Sequence, residues 1–388
     1  MKRPLNLIEA EKQILVASST EQSPKPHVIP SPPVLPRLTG IMRRIQEVLE
    51  RKGQVILYGP PGTGKTYWAE QAACELAARA SFGTPFENLP NEQRSLLRSE
   101  DDAHHAKVRA CCFHPAYGYE DFLEGFRPEA TTSHMQFVPQ DGIFKQLCKD
   151  ASDAPHEKFY LIIDEINRGD IPRIFGELLM VLEKDKRGKS LLLPLTKRLF
   201  RVPDNVYLIG TMNTADRSIA LLDTALRRRF GFIELMPDTE PLKNAEAGGI
   251  PLAAWLESLN GRIRQYVGRD ARNLQIGHAY FMEQGRPIAD FATLARVVQE
   301  DILPLLEEYC YEDYIKLEQI MGSGLVDAKA QVIRHSLFDP SQQANLVQAL
   351  LAPCPEVTTS AQAVAAGEQL EAIQEDESGD DGDDEQEV

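Results

Sequence analysis

The sequence lacks the cysteine spacing of a zinc site or of a disulfide framework. None of its six cysteines form a C-x-x-C pair, and two of them are adjacent. Zinc sites and small disulfide-linked domains depend on regular spacings between cysteines. We therefore expect reduced cysteines that behave as small buried apolar side chains. They are Cys74, Cys111, Cys112, Cys148, Cys310 and Cys354.

Long apolar runs are also missing. No stretch approaches the roughly 18 to 20 apolar residues that a membrane-spanning helix needs. Lys2 and Arg3 are not followed by an apolar run of signal-peptide length. These two absences predict a soluble, cytoplasmic protein that makes no membrane contact.

An excess of positive charge is absent as well. The formal net charge is −16, and residues 371–388 contribute ten acidic and no basic side chains to it. A chain of this sign has no overall field that would attract a phosphate backbone. We therefore expect any DNA to be bound through a partner rather than directly.

The composition changes along the chain and suggests four regions. Residues 1–37 contain six prolines between positions 17 and 36 and are predicted to be mostly linker. Residues 38–236 are expected to form an α/β nucleotide-binding domain, and residues 237–352 a smaller helical lid domain. Residues 353–388, which end in the acidic run, are predicted to be a disordered tail.

Short apolar runs alternate with segments of helical spacing before position 237. This alternation is typical of a parallel sheet with flanking helices. After Pro237 the strand signal stops and the apolar spacing becomes helical. The predicted strands are Gln54–Tyr58, Val108–Phe113, Phe159–Ile163, Val206–Ile209 and Phe230–Leu235. The predicted helices of the lid are Leu252–Val267, Phe291–Leu306 and Tyr311–Ile320.

A phosphate-binding motif follows the first predicted strand and precedes a helix. It reads G-x-x-x-x-G-K-[ST] and consists of Gly59, Pro60, Pro61, Gly62, Thr63, Gly64, Lys65 and Thr66. In such a loop the backbone N–H groups surround the phosphate oxygens. The lysine reaches the β- and γ-phosphates, and the hydroxyl of the last residue ligates Mg²⁺. These eight residues are the predicted nucleotide-binding site.

Two carboxylates end the third predicted strand. Asp164 is predicted to hold the Mg²⁺ shell together with Thr66, and Glu165 to polarise the attacking water. An acidic pair after a strand is common in α/β proteins. About a hundred residues after a phosphate-binding loop (P-loop) such as Gly59–Thr66, however, the pair indicates a nucleoside triphosphate hydrolase with Mg²⁺ as cofactor.

The fourth predicted strand is followed by a polar segment, Met212–Ser218. A polar side chain at the tip of a strand between the P-loop and the acidic strand can contact both the γ-phosphate and the water. Asn213 is the candidate for this sensor, and Asp216 is expected to help orient the water. An Asx-turn that leads into the next helix is the alternative interpretation.

Three consecutive arginines, Arg227, Arg228 and Arg229, end the next predicted helix. In a ring, this helix end would face the nucleotide of the neighbouring subunit, where a guanidinium accelerates hydrolysis by roughly 10³- to 10⁵-fold. We expect Arg228 and Arg229 to act in this way and Arg227 to be structural or to act within its own subunit. A cationic cluster that complements the helix C-terminus is the alternative.

The order of these motifs resembles that of the AAA+ family, and the amino-acid sequences of the motifs resemble those of the McrB subfamily. The resemblance covers roughly residues 38–340. The matching segments are Asp164–Gly169, Phe175–Leu179, Met212–Ser218 and Leu226–Phe230, together with Phe113–Gly125 and, in the lid, Ile276–Phe281.

This resemblance implies a hexameric ring, a preference for GTP over ATP, and stimulation by a separate McrC-like nuclease subunit. It also assigns the positioning of the catalytic water to the element that contains Asn213 and Asp216. The predicted function is therefore that of a motor subunit in McrBC-like DNA restriction or antiviral defence. Many family members carry an N-terminal domain that reads modified DNA, whereas only about forty, largely Pro-rich, residues precede the predicted ring domain here. Target recognition is therefore expected to lie on another chain or to be absent.

Two other functions fit parts of the pattern. A MoxR-type AAA+ chaperone shares the P-loop and the acidic strand but generally lacks this Asn-Thr-Ala-Asp run. A nucleotide-gated scaffold with little turnover would have no use for a water-activating carboxylate such as Glu165. His278 is expected to be a hydrogen-bonding group at the start of the lid rather than a catalytic residue.

Overall fold

A computed structural model describes residues 35–98, 106–130, 135–216 and 224–357. The chain divides into two compact units, Met1–Pro36 and Arg37–Val388, and the second contains every element described below. Most of the predicted Pro-rich segment and the whole acidic run lie outside the described residues. The predicted domain boundaries therefore stay predictions.

A five-stranded parallel sheet forms the centre of the first part of this unit, as predicted. Its strands are β1 (Gln54–Gly59), β2 (Val108–Cys112), β5 (Phe159–Asp164), β8 (Val206–Asn213) and β9 (Gly231–Glu234). Their spatial order is β2-β5-β8-β1-β9, and each neighbouring pair runs parallel. β8 extends beyond the predicted Ile209 to the polar residue Asn213.

Side-chain alternation along the strands explains why both faces of the sheet are covered. In β1, Val55 and Leu57 are buried in one apolar cluster, whereas Ile56 is buried in another. Because successive side chains point to opposite faces, an apolar run of this kind needs helices on each side. The helices of this part are α1 (Gly40–Lys52), α2 (Lys65–Phe82), α3 (Asn91–Arg98), α4 (Tyr119–Phe122), α5 (Ile143–Asp153), α6 (Ile171–Phe175) and α7 (Thr224–Arg229).

Two antiparallel hairpins were not predicted from the sequence. One is formed by β3 (Glu124–Ala130) and β4 (Met135–Asp141), and the other by β6 (Leu191–Leu192) and β7 (Leu199–Phe200). Almost all of β4 is exposed, so it lacks the apolar alternation of a half-buried strand. The strands of the second hairpin have only two residues each and are too short to show a period.

The lid has its own apolar core and is mainly helical, as predicted. Its helices are α8 (Leu252–Tyr266), α9 (Phe291–Arg296), α10 (Leu303–Cys310), α11 (Tyr314–Met321) and α12 (Gln343–Leu351). A π-helical segment, Val297–Ile302, joins α9 to α10, so the single predicted helix 291–306 is continuous but irregular. Pro304 follows this segment and has no N–H to donate to the preceding turn, which accounts for the wider turn.

The expectation that strands stop after Pro237 was wrong in detail. The lid contains three pairs of two-residue strands: β10 with β11 (Glu246–Ala247, Ile250–Pro251), β12 with β13 (Met282–Glu283, Arg286–Pro287), and β14 with β15 (Val326–Asp327, Val332–Ile333). Gly248, Gly249 and Gly285 have positive φ in two of the connecting turns. Such tight turns form antiparallel pairs too short to produce a period in the sequence.

The cysteines are all free, but they are not all buried. Four of them lie in the core, whereas Cys111 is partly exposed and Cys112 is exposed. The expectation of six buried cysteines was therefore wrong for the adjacent pair, because the two residues lie at the C-terminal end of β2, an edge strand whose first residues are buried and whose last are not. Within the described ranges no helix is long and apolar enough to cross a membrane.

Candidate active site

The P-loop connects β1 to α2 and is shaped by its glycines. Gly62 and Gly64 have φ values of 72° and 77°, in the left-handed region that side chains disfavour. Thr63 is buried and its hydroxyl donates a hydrogen bond to the Pro60 carbonyl at 3.0 Å. The loop is therefore held as a turn at the N-terminus of an 18-residue helix, which is a favourable site for phosphate.

Lys65 is turned back onto its own loop. Its ammonium donates hydrogen bonds to the carbonyls of Gly59, at 3.1 Å, and Pro60, at 2.6 Å. Burial lowers the pKa of Lys65 from 10.5 to about 8, while the nearby carboxylates of Glu165 and Asp164 act in the opposite direction. The lysine is thus placed close to both acidic residues, and its charge is poorly solvated.

Asp164, at the end of β5, meets the P-loop through Thr66. The Thr66 hydroxyl donates to the Asp164 carboxylate at 2.9 Å, and the buried Thr211 hydroxyl, on β8, also donates to it. Carboxylate and hydroxyl oxygens suit Mg²⁺, which is commonly bound by one or two carboxylates together with substrate phosphates. The side chains at this position therefore fit the predicted metal.

Glu165 has an unusual backbone conformation for a residue with a side chain. Its φ of 50° and ψ of 45° lie in the left-handed region, which costs on the order of 1–3 kcal/mol outside glycine. The Glu165 N–H donates to the Thr211 hydroxyl at 3.1 Å, and Arg168 donates to its carboxylate at 3.3 Å. These contacts hold the carboxylate one residue beyond Asp164 but out of the line of the strand.

Asn213 lies beside the P-loop because of the sheet register. β1 and β8 pair in parallel, with Gly59 opposite Asn213, and the Thr214 N–H donates to the Gly59 carbonyl at 3.1 Å. The side-chain oxygen of Asn213 accepts from the Ala215 N–H at 3.2 Å. This bond is an Asx-turn, the alternative interpretation of this segment. It uses the side-chain oxygen of Asn213 and not the amide NH₂, so the turn is compatible with the predicted role as a sensor.

Asp216 is brought to the acidic pair by a residue that sequence reasoning missed. The guanidinium of Arg168 lies 3.8 Å from the Asp216 carboxylate and also contacts Glu165. Its position in the Asp164–Gly169 segment, directly after the acidic pair, was a signal that could have identified it. Arg168 therefore links the two carboxylates expected to act on the water.

Thr211 and Asn167 were also missed. Thr211 is bonded to both Asp164 and Glu165, as described above. The Asn167 amide donates to the Asn213 carbonyl at 3.3 Å, and its own side-chain oxygen is buried without a hydrogen-bond partner. Both are polar residues near the carboxyl ends of adjacent strands, the edge at which ligands bind in open α/β sheets.

The arginines at the end of α7 lie in two different environments. Arg228 is exposed. It lines a cleft whose other lining residues are Arg51, Lys52, Glu183, Lys184, Asp185 and Arg229. Arg229 is only 18% exposed; its guanidinium donates to the Leu179 carbonyl and lies 3.6 Å from Glu183. Arg227 is exposed. Arg229 is thus engaged within its own chain, whereas Arg228 faces the open cleft.

The backbone carbonyls at the end of α7 accept hydrogen bonds from side chains outside that helix. Lys52 donates to the carbonyls of Arg228, at 2.8 Å, and Phe230, at 3.2 Å, and the Gln54 amide donates to the Arg229 carbonyl at 2.8 Å. Side chains from α1 and β1 therefore bond the carbonyls of Arg228, Arg229 and Phe230 at the end of α7.

The lid packs directly on the P-loop. The N–H groups of Gly277 and Ala279 donate to the carbonyls of Pro61, at 3.0 Å, and Gly62, at 2.8 Å. A Cβ on Gly277 would lie 2.0 Å from the Gly62 backbone, and a Cβ on Gly62 would overlap the Tyr280 ring. Two glycines thus allow the backbones of lid and loop to touch.

His278 has the role expected for it. Its Nδ1 accepts a hydrogen bond from the Asp238 N–H at 3.2 Å. Burial lowers its pKa below the ordinary histidine value, although Asp238 acts in the opposite direction. The side chain therefore serves as a neutral acceptor where the chain enters the lid.

Comparison with known proteins identifies two matching families. Residues 251–318 match the family described as McrB, alpha-helical lid domain, and residues 95–230 match the AAA domain of the dynein-related subfamily. The chain is 38% identical over 304 residues to the type IV methyl-directed restriction enzyme EcoKMcrB subunit of Escherichia coli strain K12. That alignment covers 73% of this chain and 60% of the relative.

Two further relatives are more distant. The type II restriction enzyme BsuMI component YdiS of Bacillus subtilis strain 168 is 27% identical over 206 residues, which cover 46% of this chain and 55% of the relative. The human peroxisomal ATPase PEX6 is 25% identical over 173 residues, which cover 42% of this chain and 17% of the relative. The chain thus spans little more than half the length of the restriction-enzyme relatives.

The sheet order, the lid and the sequence matches agree with one another. An AAA match and an McrB lid match follow each other along the chain, and several relatives are nucleotide hydrolases by name. The chain therefore belongs to the McrB-like AAA+ nucleoside triphosphate hydrolases.

Proposed function

We propose that this chain is a ring-forming motor subunit that hydrolyses GTP and drives a separate nuclease subunit in McrBC-like DNA restriction. The observation that carries the proposal is the contact between Thr66 and Asp164, with Lys65 and Glu165 beside it. Phosphoryl transfer depends on positioned cations around the terminal phosphate and on an oriented water. Lys65 is one such cation, Thr66 and Asp164 can hold a metal ion as another, and Glu165 can orient the water.

In the proposed site, the P-loop N–H groups hold the phosphates. Lys65 exchanges the Gly59 and Pro60 carbonyls for β- and γ-phosphate oxygens, which restores solvation to its buried charge. Thr66 and Asp164 would hold Mg²⁺, which neutralises charge on the phosphates when bound. Gly62 and Gly64, with φ values of 72° and 77°, give the loop the shape that this arrangement needs.

Glu165, Asn213 and Asp216 are proposed to act on the water. Glu165 would accept a proton from it, and the Asn213 amide would donate to the γ-phosphate while its oxygen stays in the Asx-turn. Arg168 supports the proposal because its guanidinium contacts both the Glu165 and the Asp216 carboxylates and so keeps them close to each other. Without this counter-charge, two adjacent carboxylates would repel each other.

Of the two arginines predicted to act on a neighbour, Arg228 is the better placed. Arg228 is exposed, whereas Arg229, which lines the same cleft, is bonded within its own chain. In a ring, Arg228 would stabilise charge on the neighbour's terminal phosphate, and Arg229 would hold the end of α7 in position. Ring formation, with six subunits as the expected number, is part of the proposal.

The restriction role is supported by the similarity to restriction enzyme components from Escherichia coli and Bacillus subtilis. GTP, rather than ATP, is proposed from the resemblance to McrB. DNA cleavage is assigned to an McrC-like partner chain, and DNA would be reached through that partner.

The test compares assembly and hydrolysis in the same preparation. We expect Mg²⁺ and GTP to convert the chain from small species to a ring, measured by light scattering after size exclusion, and GTP to be hydrolysed faster than ATP. An McrC-like nuclease encoded beside this chain should increase the hydrolysis rate. Full hydrolysis by a monomer would contradict the ring, and no response to the nuclease would contradict the motor role.

A further inference from the structure

The P-loop by itself does not select a nucleoside. Its backbone N–H groups, Lys65 and Thr66 all address phosphates or the metal, so they are indifferent to the base. Affinity for the base and ribose has to come from residues that border the loop. Those residues must lie where the nucleoside leaves the phosphate cradle, beside the first turn of α2.

Two aromatic side chains occupy that first turn. Tyr67 and Trp68 directly follow Lys65 and Thr66, and their rings meet edge to face with centroids 5.3 Å apart. We call this pair the aromatic corner. Tyr67 is 57% exposed, a high value for a large side chain next to a binding loop. Trp68 is half-buried against the apolar core beside it. An aromatic pair that continues a phosphate cradle and has one exposed ring provides a surface on which a base can stack.

The aromatic corner is in contact with the loop itself. A Cβ on Gly64 would lie 3.6 Å from the indole Cδ1 of Trp68 and 3.7 Å from its Nε1. The indole edge therefore borders the last glycine of the cradle. At the other glycine, Gly62, the space is filled by the lid residue Tyr280.

The polar groups of the aromatic corner remain open to a ligand. Within the described part of the chain, neither the Tyr67 hydroxyl nor the Trp68 indole N–H has a hydrogen-bond partner, and neither atom is fully buried. A nucleoside offers ribose hydroxyls and base-edge atoms that both groups can bind. The combination of the exposed Tyr67 ring, the half-buried indole and these two polar groups fits a nucleoside better than it fits an apolar partner.

We infer that Tyr67 and Trp68 form the nucleoside-binding surface of this site, with a purine base stacked on the aromatic corner. The inference rests on the proposed placement of the phosphates in the P-loop. Stacking accepts any purine, because every base has a π-face. The aromatic corner therefore supplies affinity for the nucleoside and leaves the choice between GTP and ATP to other contacts.

The test compares nucleotides with an inorganic probe that fills only the phosphate cradle. GDP and ADP, which cannot be turned over at the γ-position, and pyrophosphate are titrated with Mg²⁺ into the full chain. We expect Tyr67→Ala to weaken GDP and ADP binding by roughly 5- to 100-fold and to leave pyrophosphate binding unchanged. Tyr67→Phe should stay close to the parent, since it keeps the ring.

The matched control is Phe137→Ala, which removes another exposed aromatic ring, 68% exposed, from the β3–β4 hairpin. Its nucleotide affinity should equal that of the parent. Equal loss for pyrophosphate and GDP in Tyr67→Ala, or no loss for either, overturns the inference while leaving the proposed function in place. Failure of the parent to bind any of the probes overturns both.

Tryptophan fluorescence gives a second readout. The chain has two tryptophans, and Trp255 is 1% exposed in the lid with its indole N–H bonded to the Leu350 carbonyl. GDP should therefore change the emission through Trp68, pyrophosphate should change it much less, and Trp68→Phe should abolish the change. An emission change that persists in Trp68→Phe contradicts the placement of the base.

Discussion

At the scale of single residues, Glu165 is the side chain whose role can be separated most sharply from binding. We expect Glu165→Gln to keep nucleotide affinity and to slow hydrolysis by roughly 10²- to 10⁴-fold, because the amide cannot accept the proton. Single-turnover hydrolysis and equilibrium binding measure the two quantities. The control is Glu240→Gln, a carboxylate in an exposed ion pair with Lys243. Parallel loss of affinity and rate in Glu165→Gln would contradict the role in water activation.

Lys65 provides a pH dependence of binding. Its pKa in the free protein is about 8, and phosphate oxygens favour the charged form and raise that pKa. Nucleotide binding between about pH 8 and 9 should therefore take up a proton, and affinity should fall as the pH rises through this range. Calorimetry in buffers of different ionisation enthalpy measures the uptake.

The Lys65→Ala variant is the control for that experiment, since it has no ammonium to protonate. It should bind more weakly and show no proton uptake on residual binding. Proton uptake of the same size in Lys65→Ala would assign the titration to another group.

At the scale of elements, the contact between lid and P-loop depends on a glycine. Gly277→Ala places a Cβ 2.0 Å from the Gly62 backbone, which cannot move aside cheaply. Overpacking of this kind costs roughly 1–3 kcal/mol. We expect the lid to separate from the loop and nucleotide affinity to fall by about 5- to 100-fold.

The matched control is Gly261→Ala in α8 of the same lid. A Cβ at Gly261 meets nothing within 4 Å, and alanine is favoured over glycine inside a helix by roughly 0.5–1 kcal/mol. This variant should raise the melting temperature slightly and leave nucleotide affinity unchanged. If Gly277→Ala behaves in the same way, the lid does not act on the loop through this contact.

At the scale of the whole molecule, the two arginines at the end of α7 should behave differently. In the proposed ring, Arg228→Ala should reduce hydrolysis by roughly 10³-fold, because the neighbour's phosphate loses a cation. Mixing it with Lys65→Ala subunits should restore activity, since Lys65→Ala supplies Arg228 to intact P-loops. The rate measured across mixing ratios decides the matter. Absence of rescue at every ratio would argue against action between subunits.

Arg229→Ala is expected to act on stability instead. It removes hydrogen bonding to the Leu179 carbonyl and the contact with Glu183, and bonds of charged groups contribute roughly 1.5–3 kcal/mol. The melting temperature should therefore fall, and mixing with Lys65→Ala should restore little activity. Full rescue without a change in stability would make Arg229 a second residue that acts between subunits.

The sequence was sufficient for the order of the strands along the chain and for the residues at their ends. Apolar runs such as Val55–Leu57 predict strands because burial on both faces requires them, and β5 and β8 were found from the same pattern. A P-loop specifies its own glycines, lysine and hydroxyl, since phosphate binding needs them at fixed spacing. The acidic pair and Asn213 could therefore be selected from motif order and spacing alone.

Only the tertiary structure decided which of these residues meet and which are engaged elsewhere. Register alone sets Asn213 beside Gly59, and no local signal in the sequence distinguishes Arg228 from Arg229. The contact between Gly277 and Gly62 joins segments that are far apart in the chain. Local propensity and motif spacing act over a few residues, whereas these contacts form when the sheet and lid pack together.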